Sequence, residues 1–148
     1  MAVEYRRIAP ADDLWDLTAF TIEGMRPHLY PMRLSHEKVR ATIAHFRQSH
    51  SDFHLAAFDG SSIVGGIAAV AHESMFFERF DATVVMCRAT VPGVGRRLIG
   101  ALKAWIDDDM RIRRVLFATE FDARPAMLRL LRGFGFSKVS AVCVMEKA

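Results

Sequence analysis

The 148-residue chain is 51% hydrophobic and 25% charged, a composition and length that suit one domain over residues 1–148 with a substantial core. It contains no apolar run long enough to span a bilayer and no apolar leader near its N-terminus, so we expect a cytoplasmic protein without a membrane partner. The net charge of +3 suits an anionic cofactor, but is too small and dispersed to indicate a nucleic-acid site.

Hydrophobic periodicity and turn residues predict an alternation of strands and helices along the whole chain. Ser35 is a suitable N-cap for the second helix, and Pro27 and Pro31 break the chain before it. The predicted order is β-α-α-β-β-β-α-β-α-β, a mixed α/β (α+β) arrangement. The predicted elements, in chain order, are strand 3–8, helix 14–24, helix 35–46, strands 53–58, 63–70 and 83–87, helix 94–106, strand 114–119, helix 124–132 and strand 139–145.

The segment 82–106 organises the rest of the chain. A buried strand over 83–87 leads through a glycine-bearing turn, Thr90-Val-Pro-Gly-Val-Gly95, into an amphipathic helix. The first amides of a helix lack intrahelical partners, and the helix dipole makes that end positive. Glycines at 93 and 95 remove side chains that would keep a ligand from the backbone. The pattern therefore predicts an anion site, although a tight turn without a ligand fits it equally well.

This turn resembles motif A of the GCN5-related N-acetyltransferase family, which reads Arg/Gln-x-x-Gly-x-Gly/Ala. Gly93 and Gly95 match the motif, whereas Thr90 stands where the family usually has Arg or Gln. The resemblance extends to the family's motif B near the C-terminus. Gly135-Phe136 matches its Gly-Phe ending and Leu130 its Leu. Three positions depart from motif B: Arg124 stands at the usual Asn, Met127 at the Ala and Leu131 at the Tyr.

The resemblance implies a central mixed sheet flanked by helices, acetyl-coenzyme A as cosubstrate, and acyl transfer to an amine acceptor. It implies that the strand before the turn separates from its neighbour to admit the pantetheine arm. The alternative is a catalytically degenerate relative with a cofactor-sensing or assembly role, for example in a phage particle, with a homodimer or an assembly partner. The residues that the resemblance assigns to cofactor binding are Val85, Cys87, Thr90, Val91, Gly93, Val94, Gly95, Arg96 and Arg124.

Amine acetylation needs a base, and the sequence offers several acidic or imidazole side chains. Glu73 and Glu120 are the two candidates that we select as catalytic, with His72 and Glu78 as further possibilities. Each of these four side chains could equally be an exposed loop or strand-end residue without a catalytic role. Many relatives use the motif B Tyr as the acid for the departing thiolate, and Leu131 cannot take that role. A thiol is acidic enough to leave unaided.

Other features favour structural explanations. Cys87 and Cys143 lie in apolar runs and are interpreted as buried free thiols rather than as a disulfide framework. The histidines show no ligand spacing on one helix, so we expect no metal. The aromatic segment 72–80 is predicted to be a loop that lines an acceptor pocket, packs internally, or forms an association patch.

Overall fold

A computed structural model describes residues 2–25, 34–117 and 125–137. Within these ranges the chain forms five strands and four helices. They are β1 Glu4–Arg6, α1 Leu14–Met25, α2 His36–Gln48, β2 Phe53–Asp59, β3 Ser62–Glu73, β4 Phe80–Ala89, α3 Val94–Asp108, β5 Ile112–Phe117 and α4 Pro125–Gly133.

The strands form one sheet in the order β1-β2-β3-β4-β5. The first four pair antiparallel, whereas β5 lies parallel to β4 after the crossover through α3. This arrangement confirms the predicted mixed sheet flanked by helices. The predicted last strand, 139–145, lies outside the described residues.

The predicted loop over 72–80 is wrong at both of its ends. β3 extends to Glu73 and β4 begins at Phe80, and these two residues pair directly. Asp81 is opposite His72 and is buried, with its carboxylate 3.0 Å from the Arg79 Nε. Polar residues at these positions hid the strand ends, because the hydrophobic alternation stops while the backbone ladder continues.

One face of the sheet is covered by α3 and α4. Leu98, Ile99 and Leu102 of α3 are fully buried against this face, and Leu131 of α4 joins the same cluster. The close approach of α3 depends on Gly65 of β3, where a Cβ atom would lie 2.5 Å from Val94 Cγ1 and 3.1 Å from Leu98 Cδ1. The start of α3 is therefore held tightly on the sheet.

The opposite face is covered by α1 and α2, which bury a second apolar cluster around Leu17 and Ile43. Arg88 of β4 ties α1 to the sheet by donating a hydrogen bond to the carbonyl of Phe20. A cavity of about 40 Å³ remains under these helices, and His54 lines it. Burial lowers the pKa of His54, so the imidazole is neutral at pH 7.

None of the helices within the described residues combines the length and apolar character needed to cross a membrane.

Candidate functional site

The N-termini of α2 and α3 are built differently. At α2 the Ser35 side chain accepts a hydrogen bond from the Lys38 amide, so one unpaired donor is satisfied. At α3 the N-cap is Gly93, which has no side chain to offer. Among the residues that the structure describes, the Gly95 and Arg96 amides donate no hydrogen bond. These donors are left for a ligand or solvent.

The two glycines of the turn serve different purposes. Gly93 has φ 84° and ψ −25°, a left-handed conformation that side-chain-bearing residues rarely adopt. Gly95 has no positive φ, and an added Cβ would meet only Ala89 Cβ at 3.6 Å, an ordinary contact. Gly93 therefore shapes the backbone, whereas Gly95 leaves open the space in front of the first helical amides.

Thr90 anchors the turn to the sheet. Its backbone amide and its hydroxyl both donate to the carbonyl of Val64, at 2.9 and 3.1 Å. Val64 is the extra residue of a bulge in β3, since Ala57 pairs with Gly65 and the next pair joins Phe58 to Ile63. At the position where the family usually has Arg or Gln, Thr90 thus fixes the turn through its hydroxyl.

Positive charge collects at the open end of α3. Arg96 and Arg97 occupy its first turn, and that turn contains no acidic residue. Cations at a helix N-terminus are unfavourable to the helix dipole, whereas they favour a bound anion. Within the described residues the Arg96 guanidinium has no hydrogen-bond or ion-pair partner, and that of Arg97 lies 5.3 Å from the Tyr5 ring centre. Val91 is exposed, whereas the Val94 side chain is buried, so only the backbone of Val94 can face a ligand.

Strand β4 contains a bulge midway along its length. The pairing with β3 passes from Ala68 opposite Met86 to Ala69 opposite Val84, which leaves Val85 without an opposite residue on β3. The Val85 side chain is 46% exposed. Pairing between β4 and β5 is described as far as Val84 and Phe117, and the separation that the resemblance implies would begin beyond it.

Cys87, two residues after the bulge, packs against the α3 core. Burial raises the pKa of its thiol to about 11, so the sulfur is protonated at neutral pH. A thiol in that state is a poor nucleophile, which agrees with its interpretation as a packing residue. Cys143 lies outside the described residues.

The structure describes the positions of three of the four candidate bases. Glu73 is exposed at the end of β3, and Glu78 is exposed in the β3–β4 connection. His72 lies on β3 with its Nε2 3.2 Å from Thr83 Oγ1 of β4. Glu120 and Arg124 lie outside the described residues.

Two features of β3 and β4 were not predicted from the sequence, namely the β4 bulge and the contact between His72 and Thr83. A bulge leaves no mark in an apolar strand that lacks glycine. The pairing of His72 with Thr83 depends on a β3–β4 register that the predicted loop over 72–80 obscured.

The motif B helix ends in a fully bonded structural cap. The amides of Gly135 and Phe136 donate to the carbonyls of Arg132 and Leu131 at 3.0 and 3.1 Å, with Gly135 at φ 94°. This is a Schellman motif, and Phe136 packs at right angles to Phe117 to complete it. Leu131, at the position of the family Tyr, is 5% exposed and belongs to the core. It cannot act on a leaving group.

The aromatic segment between β3 and β4 is largely exposed. Met75 and Phe76 are 88% and 83% exposed, so the internal-packing interpretation is wrong for both. Phe77 is half-exposed beneath the Arg79 guanidinium, 4.6 Å from its ring centre. Among the described residues, no group of three or more His, Cys, Asp or Glu side chains could hold a metal ion.

No protein-family model matches the chain, and no curated protein matches it by sequence. Solved structures match it over nearly its whole length. One is the acetyltransferase AAC(6')-Iy in complex with the bisubstrate analogue CoA-S-monomethyl-acetylneamine, at 15% identity and TM-score 0.70, covering 100% of this chain and 99% of that one.

Two further structures show the range of proteins with this architecture. Glucosamine-6-phosphate N-acetyltransferase from Arabidopsis thaliana matches at 10% identity and TM-score 0.71, covering 99% of each chain. A transcriptional regulator from Bacillus halodurans C-125 matches at 17% identity and TM-score 0.74, covering 99% of this chain and 100% of that one. The order of elements, the mixed sheet and these matches together show that the chain has the fold of the GCN5-related N-acetyltransferases.

Proposed function

We propose that the protein is an N-acetyltransferase that uses acetyl-coenzyme A to acetylate an amine. The observation that carries the proposal is the uncapped start of α3, where the Gly95 and Arg96 amides make no hydrogen bond to any residue that the structure describes. A pyrophosphate fits such an end, because it brings negative charge and several acceptor oxygens. Arg96 adds a cation at the same place.

The length of the cofactor supports the same arrangement. The pantetheine arm from phosphate to sulfur has about twelve bonds, which equals about four extended residues or ~14 Å. Ala89 of β4 lies beside Gly95, because a Cβ atom at position 95 would meet the Ala89 Cβ at 3.6 Å. Val85, the bulged residue, precedes Ala89 by four residues. A cofactor that starts at α3 and runs along β4 therefore ends with its thioester beside the bulge. A bulge leaves backbone groups outside the ladder, and a backbone amide there would stabilise negative charge on the thioester oxygen.

We assign the proposed contacts accordingly. Gly95, Arg96 and the backbone of Val94 would hold the pyrophosphate, while Thr90 and Gly93 fix the turn. Val91, Val85 and Cys87 would line the arm, and Arg124 is a further candidate for the phosphates. Glu73 and Glu120 stay as candidate bases. The coenzyme A thiolate would leave without a protein acid, because Leu131 is buried.

The acceptor is an amine of a class that the fold leaves open. AAC(6')-Iy was solved with a bisubstrate analogue that joins coenzyme A to acetylneamine, and a second match is glucosamine-6-phosphate N-acetyltransferase. These two acceptors suggest amino sugars as the first probes. The sensing or assembly alternative, and a phage origin, have no supporting observation beyond the fold shared with a transcriptional regulator.

Thermal unfolding with and without acetyl-coenzyme A tests the proposal. Ligand at about a hundred times its Kd should stabilise the native state by about 2.7 kcal/mol and raise the Tm. Pantetheine, which lacks the pyrophosphate, is the matched control and should produce no comparable shift at the same concentration. An unchanged Tm at millimolar acetyl-coenzyme A, with no heat of binding by calorimetry, would contradict the proposal.

A further inference from the structure

Two polar side chains lie side by side on the exposed part of the sheet next to the bulge. The Nε2 of His72 on β3 is 3.2 Å from the Oγ1 of Thr83 on β4. Thr83 is adjacent in β4 to the buried Val84, which belongs to the cluster under α3, so the Thr83 side chain lies on the opposite face of the sheet. His72 is two residues from Val70, the partner of Thr83, so it shares this face, and it is exposed there.

We propose that Thr83 and His72 form a proton relay that deprotonates the acceptor amine. The inference rests on the proposed function, because it needs a thioester beside Val85. Thr83 precedes Val85 by two residues in β4, which is about 7 Å at the rise of an extended strand. That spacing leaves room for an amine between the thioester carbon and the Thr83 hydroxyl.

The hydrogen bonds define the direction of the relay. The Nδ1 of His72 lies 3.4 Å from the carbonyl of Glu73, and a carbonyl can only accept. The arrangement therefore favours the tautomer with hydrogen on Nδ1 and a lone pair on Nε2. Thr83 then donates its hydroxyl hydrogen to Nε2, and its oxygen can accept a hydrogen from the amine.

The acceptor nitrogen loses two protons in the reaction. An ammonium group gives one proton to the Thr83 oxygen as Thr83 passes its own to His72, leaving a neutral amine and an imidazolium. The amine nitrogen attacks the thioester carbon, a C–N bond forms and the C–S bond breaks. The second proton of the nitrogen goes to the departing thiolate, so the products are the amide and coenzyme A thiol.

Glu73 is less well placed for this role. It follows His72 directly in β3, so its side chain leaves the other face of the sheet. Among the described residues it makes no side-chain hydrogen bond or ion pair. The structure thus favours His72 over the neighbouring carboxylate.

The test compares five variants of the full chain with the parent: His72→Gln, His72→Ala, Thr83→Val, Thr83→Ser and, as matched control, His50→Gln. His50 is an exposed histidine in the α2–β2 connection, and it forms no hydrogen bond with His72 or Thr83. Release of coenzyme A thiol from acetyl-coenzyme A is measured with sisomicin, glucosamine 6-phosphate and spermidine as amine probes. Calorimetry with coenzyme A and thermal unfolding are measured for every variant.

We expect His72→Gln and Thr83→Val to lower kcat at least 100-fold, the range of a lost general base, with the coenzyme A Kd and the Tm unchanged. Thr83→Ser keeps the hydroxyl and should stay within several-fold of the parent, as should His50→Gln. Added imidazole should restore part of the activity of His72→Ala. This rescue separates proton transfer from a structural role.

Three results would overturn the relay while leaving cofactor binding intact. They are full activity in His72→Gln, an acetyl group trapped on Thr83, which would make the hydroxyl a nucleophile, and a parent that binds coenzyme A but acetylates none of the amines. A parent that fails to bind coenzyme A would instead overturn the proposed function, and the relay with it.

Discussion

The start of α3 and the end of α4 each contain a glycine in the left-handed conformation. The backbone amides beside the two glycines differ, because those at α4 are hydrogen-bonded, whereas two of those at α3 are not hydrogen-bonded within the described residues. Gly93 has φ 84° and Gly135 has φ 94°. After Gly135 the Schellman bonds use the available amides, and Phe136 closes the cap against the core. After Gly93 the amides of Gly95 and Arg96 find no acceptor in the described part of the chain. The two glycine-bearing motifs therefore have different roles in this protein. The motif B glycine closes a helix, whereas the motif A glycines leave amides open to a ligand.

The largest expected effect comes from placing a carboxylate at the open end. Gly95→Glu should weaken coenzyme A binding about 1,000-fold, corresponding to about 4 kcal/mol of binding free energy. The carboxylate repels the pyrophosphate and fills the space before the amides. Folding should be retained, because a Cβ at 95 makes only one ordinary contact and an acid suits a helix N-terminus. Calorimetry gives the Kd, and circular dichroism checks the fold. Binding equal to that of the parent would make this turn merely structural.

A second change tests whether residue 131 of α4 only packs in the core or also reaches the cofactor. Leu131→Tyr should lower the free energy of unfolding by about 1–3 kcal/mol, because a larger ring must enter a packed cluster. The coenzyme A Kd of the folded fraction should be unchanged. Denaturant unfolding measures the loss. A stable variant with faster acetyl transfer would instead show that position 131 reaches the leaving thiolate.

A third change separates the two left-handed glycines. Gly93→Ala and Gly135→Ala should each lower the free energy of unfolding by about 1–2 kcal/mol, the usual cost of placing a side-chain-bearing residue in this conformation. Neither added Cβ meets an atom of the described residues within 4 Å, so the two variants are matched controls. Only Gly93→Ala should also alter the coenzyme A Kd. An equal effect of both on the Kd would break the distinction between the two helix ends.

The smallest expected effect concerns the anchor of the turn. Thr90→Val keeps the backbone bond to Val64 and removes the hydroxyl bond, so it should cost about 0.5–1.5 kcal/mol of stability. Thr90→Arg loses the same bond but brings the family's usual cation to the turn, and should bind coenzyme A more tightly than Thr90→Val. The difference should grow at low ionic strength, where screening is weaker. Salt-independent affinities would show that residue 90 faces away from the phosphates.

Much of the fold followed from local patterns in the sequence. Ser35 was predicted as the N-cap of α2 because a hydroxyl can satisfy a helical amide, and its side chain does so. The apolar run of α3 likewise predicted a helix packed on one face, beginning at Val94 as observed.

What the sequence could not show depends on contacts between distant residues. The role of Thr90 requires the carbonyl of Val64, which a bulge in another strand presents. The burial of Leu131 depends on how α4 rotates against α3, and one-dimensional matching to a motif does not specify that rotation. The same limit hid the pairing of His72 with Thr83, because it depends on the register between β3 and β4.

The central claim is that the first amides of α3 are an anion site while those at the end of α4 are not. Backbone amide NMR during titration with coenzyme A tests it most directly. We expect large chemical-shift changes and slower hydrogen exchange for the Gly95 and Arg96 amides. The Gly135 and Phe136 amides, already bonded to protein carbonyls, should not change. Saturation with coenzyme A that leaves Gly95 and Arg96 unmoved would contradict the claim.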